Sequence, residues 1–210
     1  MDRSFLFLLA SARPGGNSEL LARAAAEQLP AATERRWLDL ARLALPDFVD
    51  TRHAETPWPE QENEETLRQA TLAATDIVIV SPLYWYSVSS YAKRYLDYWS
   101  KWLSTPDPGF RAAMAGRALW GVTAMAHREE VVARPLELTL HHSAAYMGMN
   151  FGGVLLGNGT RPGQVLDDER AIARAKTFFA GEPRPARFPE EGRAAGRSRS
   201  PEPAAHSLSP

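Results

Sequence analysis

The sequence predicts a three-layer α/β fold in which helices cover both faces of a five-stranded parallel sheet of strand order 2-1-3-4-5. Three observations support this prediction. Five short apolar segments alternate along the chain with five segments of helical spacing. The segment Asp76-Ile-Val-Ile-Val80 is apolar and β-branched, as expected of a strand inside a parallel sheet. Two unusual loops, 11–18 and 81–89, follow the first and third strands, and this strand order places them side by side.

The first third of the chain contains two strands and the helix between them. The run Phe5-Leu-Phe-Leu-Leu9 is continuously apolar and predicts a buried strand. A turn of small residues then leads into a helix over residues 19–29. The segment Arg35-Arg-Trp-Leu-Asp-Leu40 is short and alternating, which predicts the second strand. A polar loop that reaches past Pro57 and Pro59 connects it to the next helix.

The middle of the chain combines a buried strand with two helices. Residues 60–74 have helical composition, with side chains at three- and four-residue spacing, and lead directly into the strand at 76–80. The next helix begins at Ser89 or Ser90, either of which can cap it. It carries an aromatic stripe, which we define as Tyr91, Tyr95, Tyr98, Trp99 and Trp102. The stripe fits either packing against the sheet or a homodimer contact that also walls the substrate pocket.

The last third supplies two more strand–helix units and a tail. Strands are predicted over 118–123 and 151–156, and helices over 131–147 and 168–179. After residue 180 the composition changes to proline, arginine, glutamate and serine, with few large apolar side chains. We therefore expect one domain over residues 1–180 and a disordered tail over residues 181–210.

Composition and charge exclude several classes of protein. The chain has 24 lysine and arginine residues against 25 aspartate and glutamate residues, so no net charge attracts nucleic acid or an anionic membrane. No cysteine is present, which excludes disulfides, thiolate metal sites and a cysteine nucleophile. His141 and His142 lack a third ligand at suitable spacing, so we expect no metal site. No apolar run is long enough to span a membrane, and we expect a cytoplasmic protein.

The loop after the first strand has the composition of an anion-binding turn. Ser11-Ala-Arg-Pro-Gly-Gly-Asn-Ser18, here called the phosphate cradle, offers hydroxyl, amide and backbone N–H donors at the positive end of a helix dipole. A well-capped strand-to-helix connection is the alternative, since asparagine and serine are common cap residues. The loop lacks the glycine spacing of a dinucleotide fold and the lysine of a nucleoside triphosphate loop, which favours a mononucleotide phosphate.

The loop after the third strand, Ser81-Pro-Leu-Tyr-Trp-Tyr-Ser-Val-Ser89, is unusually aromatic. Its backbone N–H groups can face the polar edge of a flat ring, and Tyr84, Trp85 and Tyr86 can stack on that ring or touch its edge. Simple packing of these three side chains is the alternative. A phosphate cradle beside a ring-binding loop predicts FMN, with its ribityl phosphate in the first loop and its isoalloxazine in the second.

These two loops, Lys93 and Asp97 in the following helix, and the strand order resemble the flavodoxin-like NAD(P)H-dependent FMN reductase and quinone reductase superfamily. The likeness covers about residues 3–180. It implies a flavodoxin-like fold and bound FMN, with NADPH or NADH as the reductant. The flavin would accept a hydride at N5 from a stacked nicotinamide and pass electrons to a small acceptor such as a quinone or a free flavin.

The resemblance also implies which residues bind the flavin. Those expected at its phosphate are Ser11, Arg13, Asn17 and Ser18; those expected at its ring and ribityl chain are Pro82, Leu83, Tyr84, Trp85 and Ser87; and those expected beyond the fourth strand are Thr123, Ala124 and Met125. There the chain has Thr123-Ala-Met-Ala-His-Arg-Glu129 in place of the family's glycine-containing turn. Tyr84 and His127 are the candidate catalytic residues. Loop N–H groups suit the negative charge that develops near the flavin N1 and O2 on reduction, and His127 is a candidate cation or proton donor there, with an ordinary surface histidine as the alternative.

Two other functions fit the same fold. A flavodoxin-type electron carrier would bind FMN without catalysing a reaction, and an interaction or regulatory domain would keep the fold without flavin. Electron carriers of this kind tend to be strongly acidic and to have a threonine-rich phosphate loop. This chain is near neutral and has Arg13 beside the cradle, so the sequence favours the enzyme.

Overall fold

The computed structural model describes residues 2–51, 62–104 and 109–189. Within these ranges the strands are β1 (Ser4–Leu9), β2 (Glu34–Asp39), β3 (Asp76–Val80), β4 (Ala118–Met125), β5 (Asn150–Asn158) and β6 (Arg184–Pro185). The α-helices are α1 (Asn17–Ala26), α2 (Glu62–Ala73), α3 (Ser90–Ser104), α4 (Phe110–Met114), α5 (Arg134–Tyr146) and α6 (Glu169–Ala175). The expected loop with Pro57 and Pro59 and the tail beyond residue 189 lie outside the described residues.

The strands form one sheet of order β2-β1-β3-β4-β5-β6. Strands β1 to β5 run parallel, so the predicted order 2-1-3-4-5 is confirmed. Strand β6 is not among the predicted strands: it pairs antiparallel with the start of β5, and just beyond it Ala186 N–H donates to Met149 O. This strand belongs to the segment expected to be a disordered tail, so the described sheet extends beyond the predicted boundary at residue 180.

Strands β4 and β5 run further than their sequence pattern predicts. The pattern ends them at Thr123 and Leu156, whereas the ladder continues until Met125 pairs with Asn158. Main-chain hydrogen bonding between neighbouring strands sustains this extension, although glycine and asparagine have low intrinsic preference for strands. The added residues carry both strands to the edge of the sheet at which a ligand would bind.

Helices cover both faces of the sheet, as predicted. On one face, α2, α3, α4 and α5 pack over a core that includes Leu8 and Ile79. On the other face, α1 and α6 pack over a core that includes Phe7 and Val78. Successive side chains of a strand point to opposite faces, so β1 and β3 contribute to both cores and must be apolar throughout.

The aromatic stripe lies mostly in the core of the chain. Its most buried members, each at most 4% exposed, are Tyr95, Tyr98, Trp99 and Trp102. The Tyr95 hydroxyl lies 3.1 Å from Thr71 Oγ1 and donates to it, because the Thr71 hydroxyl donates its own hydrogen to Leu67 O. Burial raises the pKa of the Tyr95 phenol well above its ordinary value. Core packing therefore accounts for the stripe. The homodimer stays a prediction, and the stripe no longer supports it.

A buried carboxylate ties together the amino-terminal ends of the central strands. Asp76, at the start of β3, is 4% exposed in its side chain. It accepts hydrogen bonds from Arg3 Nη2 at 2.5 Å and from Trp120 Nε1 at 2.9 Å. Thr75 Oγ1 donates to the same carboxylate at 2.8 Å. This network stabilises the edge of the sheet that lies opposite the predicted site.

We expect Asp76→Ala to lower the free energy of unfolding by about 3 kcal/mol, because it leaves the Arg3 guanidinium and the Trp120 N–H without their buried acceptor. Urea unfolding followed by circular dichroism measures this loss. Glu137→Ala is the matched control, since Glu137 also pairs with an arginine, Arg134, but at the surface. An exposed pair of that kind contributes less than about 1 kcal/mol. Equal losses in the two variants would contradict this account of Asp76.

Candidate functional site

The loops after β1, β3, β4 and β5 surround a cleft with a cavity of about 230 Å³ at the carboxyl edge of the sheet. The predicted site residues that line it are Ser11, Arg13, Asn17, Ser18, Pro82, Leu83, Tyr84, Ala124 and Met125. The predicted site residues outside its lining are Trp85, Ser87, Thr123 and His127. Gly16 of the phosphate cradle lines it too, and residues that the sequence analysis did not assign to the site complete the lining: Ala126, Gly159 and Thr160.

The phosphate cradle is shaped by two glycines at the start of α1. Gly15 has a φ of +63°, in the left-handed region that glycine adopts without strain. Its N–H donates to Glu19 Oε2 at 2.9 Å. A Cβ on Gly16 would lie 3.4 Å from both Arg13 O and Ser11 Oγ, which is the close limit of ordinary contact, so a side chain there would fill space beside the cradle. The glycines therefore allow backbone groups to line the cradle.

Several donors in the cradle are free to bind an anion. Leu20 N–H donates to Gly16 O, which leaves the N–H groups of residues 17–19 without an acceptor in the helix. Gly16 is the N-cap residue and supplies no side-chain cap. Arg13 is exposed and makes no ion pair with any residue of the described ranges. These features favour an anion site over a merely well-capped connection.

Asn17 and Ser18 hold the neighbouring loops together through their buried side chains. Asn17 Nδ2 donates to Gly159 O at 3.0 Å and to Arg161 O at 2.9 Å, so both of its hydrogens are used within the protein. Ser18 Oγ accepts a hydrogen bond from Ala124 N–H at 3.0 Å. The Asn17 amide nitrogen is therefore not available for the predicted phosphate contact, whereas the backbone N–H groups of both residues are.

The loop after β5 belongs to the cleft but was absent from the sequence prediction. Gly159 N–H donates to Met125 O at 3.0 Å, which fixes this loop against the end of β4. A Cβ on Gly159 would lie 2.7 Å from Val165 N and 3.1 Å from Asn17 Nδ2, so only glycine fits without displacement. The turn sequence Asn158-Gly-Thr160 could have revealed this loop, but the predicted strand ends too early to place it at the edge.

The aromatic loop forms a tight turn that exposes three rings. Tyr84, Trp85 and Tyr86 are 50%, 94% and 49% exposed. Tyr84 and Ser87 exchange two backbone hydrogen bonds of 3.1 and 3.0 Å, while Trp85 and Tyr86 have φ values of +48° and +64°. Left-handed residues other than glycine cost of order 1–3 kcal/mol each and occur most often at functional sites. Packing within the chain therefore does not explain these rings.

Two serines stabilise this turn through their side-chain hydrogen bonds. Ser81 Oγ donates to Pro82 O at 2.9 Å and accepts from Ser89 N–H at 2.8 Å. Ser89 Oγ donates to Ala10 O at 2.5 Å and accepts from Ala92 N–H at 3.3 Å, which identifies Ser89 as the cap of α3. These hydrogen bonds fix both ends of the exposed turn and connect it to the end of β1.

The loop after β4 differs from the expectation at two positions. Thr123 is fully buried within β4, and its Oγ1 has no hydrogen-bond partner among the described residues. The His127 side chain is 59% exposed, and its Nδ1 lies 3.9 Å from Glu129 Oε2. The structure therefore does not bring the His127 side chain into the cleft, and this placement agrees with the alternative of a surface histidine.

No three His, Cys, Asp or Glu side chains of the described ranges come together in an arrangement that could hold a metal ion. No helix of that part of the chain is both long enough and apolar enough to cross a membrane.

Comparisons with known proteins agree with this architecture. The model of the Flavodoxin_2 family, described as a flavodoxin-like fold, matches residues 3–178. A protein of Bacillus subtilis (strain 168) with the provisional name NAD(P)H-dependent FMN-containing oxidoreductase YwqN is 28% identical over 169 residues. That match covers 80% of this chain and 91% of YwqN.

The fold also occurs in solved structures of other proteins. The Trp repressor binding protein from Bacillus subtilis has a TM-score of 0.66 at 23% identity, and the match covers 83% of this chain and 97% of that chain. The NAD(P)H:quinone oxidoreductase from Methanothermobacter marburgensis has a TM-score of 0.61 at 17% identity, with 87% and 98% covered. At these identities the two matches show the fold alone.

We expect Gly159→Ala to lower the free energy of unfolding by about 2 kcal/mol, because the added Cβ must displace the backbone at Val165. The midpoint of urea unfolding measures the effect. Gly181→Ala is the matched control, since a Cβ there would meet only Phe178 O at an ordinary 3.5 Å. A midpoint for Gly159→Ala equal to that of the control would show that the loop after β5 is not closely packed against the cradle.

Proposed function

This chain belongs to the Flavodoxin_2 family of flavodoxin-like folds, and on that basis we propose that it is an NAD(P)H-dependent, FMN-containing oxidoreductase. Its acceptor would be a small planar molecule such as a quinone or a free flavin. The relative YwqN, which is 28% identical and provisionally named as an oxidoreductase of this kind, supports the proposal.

One observation carries the proposal: a cradle rich in free donors and an exposed aromatic turn lie at the same cleft. The cradle supplies the N–H groups of residues 17–19 and the Arg13 guanidinium, which suit a dianionic phosphate. Gly16 lets that phosphate approach the backbone, because it carries no side chain. Residues 82–84 line the cleft on another side and suit a flat ring. An FMN molecule combines this phosphate with this ring.

Bound FMN would supply the redox chemistry, because N5 of its ring accepts a hydride from a nicotinamide. The residues of this chain bind and orient the reactants. Ser11 Oγ accepts from Arg13 N–H at 3.2 Å and keeps its own hydrogen for a phosphate oxygen. Of the two candidate catalytic residues, Tyr84 lines the cleft and His127 does not, so we assign the contact with the ring to Tyr84. Trp85 presents its ring to solvent beside the cleft, where a planar acceptor can stack.

The same cleft would also serve a non-enzymatic electron carrier, so the proposal depends on whether reduced nicotinamide reacts directly with the flavin. The formal net charge of −1 favours the enzyme, because carriers that dock on other proteins use a strongly charged surface. A domain that retains the fold without flavin is the third possibility. A single sample distinguishes all three.

The purified protein is expected to be yellow, with the two visible absorption bands of an oxidised flavin, and acid should release FMN that chromatography identifies. Anaerobic NADPH or NADH should then bleach the bands rapidly. A flavin that stays yellow with both nucleotides would indicate the electron carrier. A colourless protein that also fails to bind added FMN would refute the proposal and leave the flavin-free domain.

We expect Arg13→Ala to raise the FMN dissociation constant at least about tenfold, because it removes a charge-assisted contact to the phosphate worth roughly 1.5–3 kcal/mol. Quenching of flavin fluorescence on titration measures the constant. Arg187→Ala is the matched control, since Arg187 is also exposed but follows β6 at the opposite edge of the sheet. The assignment of the phosphate to the cradle fails if the two variants bind FMN equally well.

A further inference from the structure

We propose that Asn158 positions the loop after β4 so that the backbone N–H groups of residues 126–128 face the flavin-binding cleft. Asn158 itself does not line that cleft, so it is a positioning residue and not a catalytic one. The inference rests on the proposed function, since these N–H groups would serve a bound flavin.

The Asn158 side-chain amide donates hydrogen bonds to three consecutive carbonyl groups. Its Nδ2 lies 3.1 Å from Met125 O, 2.9 Å from Ala126 O and 3.0 Å from His127 O. An amide NH₂ group has two hydrogens, so at least one of them is shared between two carbonyls. Carbonyl dipoles that point at one place repel each other unless a donor lies between them. Asn158 is that donor, and it therefore determines the conformation of the loop.

The direction of the carbonyls fixes the direction of the N–H groups. All peptide bonds of the described residues are trans. In a trans peptide the N–H of one residue points opposite to the carbonyl of the residue before it. Because the carbonyls of residues 125–127 point toward Asn158, the N–H groups of residues 126–128 point away from it. None of these N–H groups donates to another residue within the described ranges.

The cleft lies on the side of the loop that faces away from Asn158. Met125 and Ala126 line the cleft together with Tyr84. Asn158 and Arg128 instead line a second cavity of about 480 Å³, next to α6. Met125 borders both cavities, so the loop forms the wall between them. Of residues 126–128, Ala126 lines the cleft, and the N–H groups that point away from Asn158 would lie on this face of the wall.

Asn158 is itself held in place by the cap of α6. Its N–H donates to Asp168 Oδ2 at 2.8 Å, while Asp168 Oδ1 accepts from Ala171 N–H at 3.0 Å and caps the helix. The loop after β4 is also tied to α6, because Glu130 Oε1 accepts from Arg174 Nη1 at 2.8 Å. The amide of Asn158 thus acts from a fixed point at the end of β5, which is what a positioning residue requires.

N–H donors at this wall would favour the reduced flavin over the oxidised one. Reduction places negative charge near N1 and O2 of the ring, and preorganised N–H groups stabilise charge that develops beside them. The sequence analysis gave this role to loop N–H groups and to His127, whose side chain is exposed and outside the cleft. With the His127 side chain outside the cleft, the backbone N–H groups of the loop would carry that role, oriented by Asn158.

Two variants test the proposal through the FMN dissociation constant and the reduction potential of the bound flavin. Asn158→Ala removes the donor, and Asn158→Asp replaces it with an acceptor that attracts N–H groups and repels carbonyls. Both are expected to raise the FMN dissociation constant about tenfold and to lower the two-electron potential of the bound flavin. Each factor of ten by which the loss of affinity for the reduced flavin exceeds the loss for the oxidised flavin lowers that potential by about 30 mV. A merely structural role would weaken both forms equally and leave the potential unchanged.

Asn150→Ala is the matched control. Asn150 begins the same strand, and its Nδ2 donates to Gly116 O at 2.8 Å at the opposite edge of the sheet. We expect it to keep the wild-type affinity and potential. Asn158 variants that match this control in both quantities would overturn the proposal.

A measurement on the wild-type protein keeps the proposal testable if the variants do not fold. Amide proton resonances of residues 126–128 should shift on titration with FMN, since these N–H groups gain an acceptor. Resonances that stay in place while FMN binds would overturn the inference about Asn158 and leave the proposed function intact. Failure of the wild-type protein to bind FMN would instead refute the proposed function, and the inference with it.

Discussion

Parallel pairing of β1, β3, β4 and β5 is the constraint on which the site depends. It sends the carboxyl ends of all four strands to one edge, so the loops that follow them must meet there. Buried side chains then fix each loop to its neighbour: Ser18 to the end of β4, Asn17 to the loop after β5, and Ser89 to the end of β1. No single loop forms the cleft, and each one depends on the register of the sheet beneath it.

The two edges of the sheet differ in their polar contacts and in backbone strain. The amino edge carries the Asp76 network, whose buried charge is well supplied with donors. The carboxyl edge carries the strained residues Trp85 and Tyr86 together with Asn17 Oδ1 and Thr123 Oγ1, which have no partner in the described part of the chain. Strain and unsatisfied polar groups persist only where the surrounding structure holds them, and they are characteristic of binding sites.

The sequence predicts the elements of this fold better than the contacts of its site. Strand β3 is unambiguous because it is apolar on both faces, and the alternation with helices predicts the parallel sheet, while the order 2-1-3-4-5 is the one that brings the two unusual loops together. The ends of β4 and β5 depend on pairing between them, which no local pattern encodes. Asn17 Nδ2 donates to a carbonyl 142 residues away, and His127 O accepts from Asn158, 31 residues away. No local pattern encodes such contacts, so the resemblance placed the Asn17 side chain at the phosphate and left His127 a candidate near the flavin.

The charge at the cradle explains how a nearly neutral chain presents an anion site. Glu19 places a carboxylate on the Gly15 N–H, which would oppose an incoming phosphate. Its other oxygen accepts from Arg23 at 2.7 Å, so that arginine compensates the charge of Glu19. Because Glu19 is balanced by Arg23, Arg13 contributes a net positive charge near the N-terminus of α1. The overall balance of charge therefore limits long-range steering of anions, while the local balance still favours binding one at this turn.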